Sequence, residues 1–122
     1  MLCAIGMLGI AERASFVRGD VAQLAREPAL AGASDVVVAR AFGPPPVTAE
    51  CATGFLAVGG RLVVTEPEDE LETRWPREPL ARLGLSVQAS GAGPRFVELV
   101  KVAPHEDRFP RRLAAMRRDP LY

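Results

Sequence analysis

The sequence predicts an α/β fold in which strands and helices alternate along a single domain of 122 residues. Two continuous apolar runs, at residues 36–39 and 62–64, have the pattern of strands that are covered on both faces. Between these runs, residues 47–58 show helical spacing and are followed by Gly59-Gly60. Because strands that alternate with helices form βαβ units, these observations predict a mostly parallel sheet with flanking helices.

The first third of the chain contains three predicted elements. Residues 1–9 are apolar but lack a basic start and are too short to span a bilayer, so we expect the end of a buried helix rather than a signal peptide. A short β run at residues 14–18 stops at Gly19-Asp20. Asp20 is placed to cap a helix over residues 21–31, whose apolar residues recur on one face.

The remaining elements are separated by glycine and proline. Prolines 44–46 end the strand at 36–39, because proline has a fixed φ and no N–H donor. Gly59-Gly60 is expected to close the helix at 47–58. A short helix over 79–83, a weak strand over 85–87, a hairpin turn over 90–94 and an alternating strand over 96–102 follow.

The composition is that of a globular chain, with 48% hydrophobic and 25% charged residues. Its 15 basic and 15 acidic residues balance, so no overall field draws it to nucleic acid or to a membrane. The two cysteines lack CxxC spacing, which excludes a disulfide framework and a zinc site. This cysteine content favours a reducing, cytoplasmic location.

A charge asymmetry lies beneath that balance, because five arginines face a single acid, Asp119, near the C-terminus. These arginines are Arg108, Arg111, Arg112, Arg117 and Arg118. Guanidinium groups neutralise phosphates and stack on exposed bases, which makes this cluster the candidate RNA-binding element. The alternative is a disordered tail that aids solubility. The last residues are expected to form a loosely held basic tail.

Arg40 is the candidate site residue of the first strand. It directly follows three valines and an alanine, and a charge in that position is costly unless it is paired or faces a site. Ligands of open α/β sheets bind at the carboxyl ends of the strands, where Arg40 is expected to lie. The alternative is an ion pair between Arg40 and Glu50 or Glu66.

Three segments together resemble a known enzyme family. Gly59-Gly60-Arg61 and the apolar residues after it have the form that class I S-adenosylmethionine (SAM) methyltransferases show around their fifth strand. Val38-Ala39-Arg40-Ala41-Phe42 resembles the "S-R-A-F" strand end of the RsmG (GidB) family. Arg108-Phe109-Pro110-Arg111-Arg112, followed by residues 117–121, is similar to the basic, proline-punctuated C-terminus of that family.

The resemblance implies a truncated Rossmann-like sheet of the class I SAM-dependent methyltransferases, in which residues 1–104 form a partial methyltransferase domain and residues 105–122 a basic C-terminal tail. It covers residues 15–121, which correspond to the distal part of the family's domain. The first strands, the glycine-rich loop that wraps the methionine part of SAM and the acidic residue that holds the ribose are expected to be missing. The chain is therefore interpreted as an N-terminally truncated fragment.

The resemblance also implies SAM as the cofactor and N7 of a guanine in 16S ribosomal RNA as the methyl acceptor, a step of ribosome biogenesis. Asp20, Val21 and Ala22 fall where this class contacts the adenine ring, and Arg40 becomes a cofactor- or substrate-contacting arginine. Ala22 stands where the family usually has an acid, and Glu66 where it usually has a lysine. No catalytic residue is assigned, because N7 has an accessible lone pair and the transfer needs alignment rather than a general base.

Three hypotheses about function stay open at this point. The first is a SAM-dependent rRNA methyltransferase whose partner is 16S rRNA in the small ribosomal subunit, with no membrane partner. The second is a non-catalytic RNA-binding remnant that uses the C-terminal arginine cluster. The third is the product of a decayed or mis-started reading frame that folds poorly or only with another chain.

Overall fold

The computed structural model describes residues 13–40, 42–65, 74–90 and 95–122. In chain order the elements are α1 (Val21–Leu24), β1 (Ser34–Ala39), α2 (Pro45–Phe55), β2 (Leu56–Thr65), α3 (Arg77–Arg82), β3 (Leu85–Ser90), β4 (Phe96–Lys101) and α4 (Leu113–Arg118). These residues form an α/β structure with a four-stranded mixed sheet and flanking helices, which is compatible with a Rossmann-like fold.

The strand order in the sheet is β1-β2-β4-β3. β1 and β2 run parallel and are joined by α2, as the sequence predicted. The expectation of a mostly parallel sheet is wrong, because β4 is antiparallel to both β2 and β3. The short connection from β3 to β4 explains this difference, since only antiparallel neighbours can be joined by a hairpin.

One face of the sheet packs against α2, α3 and the C-terminal segment to form the main core. Its fully or nearly buried members are Ala49, Ala52, Leu56, Leu62, Val64, Trp75, Leu80, Leu83, Leu85, Val97, Leu99 and Phe109. Full burial of a large apolar side chain contributes roughly 1.5–3 kcal/mol. This face therefore supplies much of the hydrophobic stabilisation of the described fold.

The opposite face of β1 is exposed over the described residues. Val36 and Val38 are 56% and 71% exposed, whereas Val37 packs against the core. Side chains of a strand alternate between the two faces of a sheet, so the apolar run places two of its valines away from the helices. The prediction that β1 is covered on both faces is wrong for this part of the chain.

Two predictions near the N-terminal end of the described chain are also wrong. Residues 14–18 have no regular secondary structure, and Phe16 and Val17 are 41% and 53% exposed. A strand is stabilised by cross-strand partners, and the sheet assembled from the described residues does not include this segment. The helix predicted over 21–31 ends at Leu24, because Pro28 disfavours helical geometry in the residues before it.

Gly59-Gly60 lies inside β2 and not at the end of a helix, because α2 ends at Phe55. Gly59 has φ +92°, a conformation that favours glycine. The pairing of β1 with β2 is irregular here, since Ser34 pairs with Leu56 whereas Val36 pairs with Arg61. The glycine pair thus marks a strand irregularity, the other common meaning of glycine in a β segment.

The C-terminal segment packs onto the domain, so the expectation of a loosely held tail is wrong. Phe109 and Met116 are each 1% exposed. Arg26 adds two hydrogen bonds, from Nε to the Pro110 carbonyl at 2.9 Å and from Nη2 to the Arg108 carbonyl at 3.1 Å. An apolar residue every few positions gave this segment its anchors.

Several expectations fall on residues outside the described part of the chain. They are the helix at residues 1–9, Ala41 of the strand-end motif, Glu66, and the turn residues 91–94. Within the part that the structure describes, no helix has both the length and the apolar character that crossing a membrane requires.

Candidate functional site

A cavity of about 280 Å³ lies at the carboxyl end of β1, between α1 and α2. Most of its lining is apolar, with Phe42 and Phe55 as aromatic residues and Thr48 as a hydroxyl group. Arg40 is the cation of this lining. The volume is close to the lower end of ligand pockets, which measure roughly 300–1,000 Å³. The carboxyl edge of a parallel strand pair is the usual ligand position in open α/β sheets.

Asp20, Val21 and Ala22 take different positions around this cavity. Asp20 caps α1 as predicted, and its Oδ1 accepts the N–H groups of Ala22 at 2.8 Å and Gln23 at 3.2 Å. Val21 lines the cavity. Ala22 is 3% exposed and belongs to an apolar cluster beneath it. Of the three predicted adenine contacts, Val21 is the one whose place in the lining matches that role.

Arg40 lines the same cavity as Val21, although the two are separated by 18 intervening residues of sequence. Its side chain belongs to an exposed residue. The predicted alternative partner Glu50 binds Arg111 instead, and Glu66 lies outside the described residues. The structure therefore brings two of the four predicted cofactor residues together in one lining.

The C-terminal helix α4 packs against the elements that form the cavity. Met116 and Leu113 of α4 share an apolar cluster with Val21 and Cys51. The Cys51 thiol lies 3.7 Å from the Met116 sulfur. Burial, and next the neighbouring Glu50 carboxylate, raises the pKa of Cys51 to about 12. This thiol stays protonated near neutral pH and is not a nucleophile.

The arginines predicted to bind RNA fall into two groups. Arg108 stacks over the Phe109 ring at 4.5 Å from its centroid and pairs with Glu106 at 3.5 Å. Arg112, Arg117 and Arg118 are exposed on α4 and at its start. Arg117 is close enough to Cys51 for its charge to oppose the rise in the thiol pKa. The exposed group thus lies on the helix that packs beneath the cavity.

Arg111 differs from the prediction, because its charge is used within the fold. Glu50 has a side chain that is 1% exposed, and its carboxylate accepts from Arg111 Nη2 at 2.8 Å and Nε at 3.1 Å. It also accepts the main-chain N–H of Arg111 at 2.7 Å. This hydrogen bonding raises the pKa of Arg111. A glutamate among apolar positions of α2, such as Val47 and Cys51, was the sequence signal for such a pair.

A second buried cation was also missed by the sequence analysis. Lys101 is 3% exposed, and its Nζ donates to the carbonyls of Thr53 and Leu56, both at 2.8 Å, at the end of α2. It lies 2.9 Å from Nδ1 of His105, which accepts this hydrogen bond as the neutral ring. Burial lowers the pKa of Lys101. Its position in the strand alternation after Leu99 was the available signal.

We predict that His105 makes stability depend on pH. Burial, and next the Lys101 charge, lowers the pKa of His105 below its usual 6.5. The unfolded chain then binds the proton more readily, so this stabilisation is complete above pH 6.5 and is lost as pH falls towards the lower pKa of the folded state.

The measurement is urea unfolding of the wild type and of His105→Gln at about pH 7.5 and about pH 5. We expect a smaller loss of stability on acidification in the variant. Equal losses in the two proteins would contradict the linkage to His105.

The arrangement combines an apolar, partly aromatic cavity with a cation at its rim and a basic helix packed against its wall. Such a cavity accommodates a planar ring, and such a helix attracts polyanions. A scan of the chain against models of known protein families finds no match.

Proposed function

We propose that the chain belongs to a SAM-dependent methyltransferase that acts on N7 of a guanine in 16S rRNA. One observation carries the proposal: Arg40 and Val21 line a cavity at the carboxyl end of β1, and the arginine-bearing helix α4 packs against Val21 and Cys51 of the same wall. A cofactor cavity and a polyanion surface that share a wall are the two parts that methyl transfer to RNA requires.

In this proposal the cavity holds the adenine end of SAM. Its apolar lining and about 280 Å³ volume suit a purine ring, with Val21 and Phe42 as contacting side chains and Arg40 at the rim. The Asp20 cap holds α1, and therefore Val21, in place. When bound, SAM supplies a methyl group on a sulfonium. The proposal assigns this chain the adenine end of the cofactor.

The task of the protein side chains is to bind and orient the RNA. Guanine N7 loses no proton before it attacks, so the reaction needs alignment and electrostatic stabilisation. Arg112, Arg117 and Arg118 are exposed and serve as phosphate contacts, whereas the charge of Arg111 is directed to Glu50. A cytoplasmic location follows from the same proposal and from the cysteine content.

We predict that Arg117→Gln combined with Arg118→Gln weakens binding to a labelled 16S rRNA hairpin and flattens its salt dependence. Each lost phosphate contact on a single strand lowers the slope of log K against log salt by roughly 0.7. The double variant should therefore lose about 1.4 of that slope in fluorescence anisotropy titrations. Arg77→Gln, an exposed arginine on α3, is the matched control. An unchanged slope in the double variant would exclude these arginines from the RNA contact.

The experiment that tests the whole proposal is calorimetric titration with SAM and with the hairpin, followed by transfer of a labelled methyl group to 16S rRNA. Binding of both ligands and label on a guanine N7 support the proposal. Heat from RNA alone favours the second candidate, a non-catalytic RNA-binding protein. That candidate is supported by the exposure of three arginines on α4, which does not depend on the cavity.

A further inference from the structure

We infer that Glu50 is a positioning residue for the RNA-binding surface, because it holds Arg111 and thereby sets the orientation of α4 and its exposed arginines. This inference rests on the proposed RNA contact of Arg112, Arg117 and Arg118.

The contacts of Arg111 reach both ends of α4. Glu50 accepts the main-chain N–H of Arg111 at 2.7 Å, which fixes the backbone two residues before the helix begins. Arg111 Nη1 donates to the carbonyl of Asp119 at 3.0 Å, one residue after the helix ends. The guanidinium meets the Glu50 carboxylate at 2.8 and 3.1 Å through two nitrogens. A single buried carboxylate is thus connected to the start and the end of the helix.

The apolar contacts of α4 leave its rotation less well defined. The helix has six residues, too few to be stable alone, and Met116 is its buried side chain. Dispersion contacts around one methionine are weakly directional, because its side chain is flexible. Paired guanidinium–carboxylate hydrogen bonds are strongly directional. Arg117 and Arg118 follow Met116 directly, so a rotation of the helix changes the direction in which both project.

The pair between Glu50 and Arg111 is also better suited to orientation than to stability. Taking both charges out of water costs free energy that their attraction only partly offsets, and apolar replacements of such pairs are often neutral. The side chains are 1% and 19% exposed, so this cost applies here. A role in placing other groups accounts for a buried pair at this position.

Two variants test the inference. Glu50→Leu with Arg111→Leu removes one charge of each sign, so the net charge of the protein is unchanged. Arg111→Lys keeps the positive charge but loses the paired geometry and the reach to Asp119. We expect both to bind the 16S rRNA hairpin at least about tenfold more weakly than the wild type. The control is Arg61→Gln with Glu98→Gln, which removes the ion pair between β2 and β4 and should leave affinity unchanged.

The outcomes separate the inference from the proposed function. Thermal unfolding reports whether each variant folds, and Arg111→Lys decides the question if the leucine pair does not. Wild-type affinity in Arg111→Lys would mean that Arg111 contributes only charge, which overturns the positioning role while the proposed function stands. Absence of hairpin binding by the wild type would overturn both. A tenfold loss in a folded variant, with the control unchanged, supports the inference.

Discussion

Replacing Leu62 with alanine is expected to lower the free energy of unfolding by about 2–5 kcal/mol. Leu62 lies in β2 with 0% exposure, within the main core between the sheet and the helices. The loss combines the transfer free energy of the removed methyl groups with the cost of the cavity that they leave. Urea denaturation with an unchanged m value measures it.

Val38→Thr is the matched control for this experiment. Val38 pairs with Val63 on the strand next to Leu62, and it is 71% exposed. Threonine keeps the β-branched shape that favours a strand, so we expect a change within about 0.5 kcal/mol. A loss as large as that of Leu62→Ala would show that this face of β1 is covered, which contradicts the fold described above.

Replacing Gly84 with alanine is expected to cost about 3 kcal/mol or more. Gly84 connects α3 to β3 with φ +74°, a conformation that is strained for any residue with a side chain. Its carbonyl accepts the Val102 N–H at 2.8 Å, and an added Cβ would run into the Ala103 carbonyl oxygen. Strain and steric overlap therefore add, and thermal or urea unfolding measures the sum.

Gly59→Ala separates these two contributions. Gly59 also has a positive φ, +92°, but no heavy atom lies within 4 Å of the position of an added Cβ. Only the conformational cost of roughly 1–3 kcal/mol applies there. Equal losses at Gly59 and Gly84 would contradict the close approach of the turn after α3 to the chain at residue 103.

Local features of the fold could be predicted from the sequence because their causes are local. Asp20 caps a helix through its own side chain, and the prolines at 44–46 both end β1 and begin α2. The apolar residues 62–64 lie in β2, and the alternating residues 96–101 form β4. Each depends on a pattern that is contained in one segment of the chain.

Features that depend on distant partners could not be predicted in this way. The reversal of β4 follows from which strand it pairs with, and the exposure of Val38 follows from which face the helices cover. Glu50 and Arg111 are 61 residues apart in sequence, so neither indicates the other. What the sequence does contain is the anomaly: a charge at a core position, as at Glu50 and Lys101, predicts a buried partner without identifying it.

The candidate site was predictable to a similar degree. Arg40 and Val21 were assigned to one ligand site and do line one cavity. Phe42 and Thr48 complete that lining, and they were missed because their role depends on how α2 packs after the proline turn. The internal use of Arg111 was missed for the same reason, since a basic run in sequence gives no sign of which arginine turns inward.

The central claim is that the cavity at the end of β1 binds the adenine part of SAM. The most direct measurement is a ¹H–¹⁵N NMR titration of the ¹⁵N-labelled chain with SAM. We predict concentration-dependent shifts of the Val21, Arg40, Phe42 and Thr48 amides, with the amide of Arg77 on α3 unchanged. An unaltered spectrum, or shifts confined to residues away from the cavity, would contradict the claim.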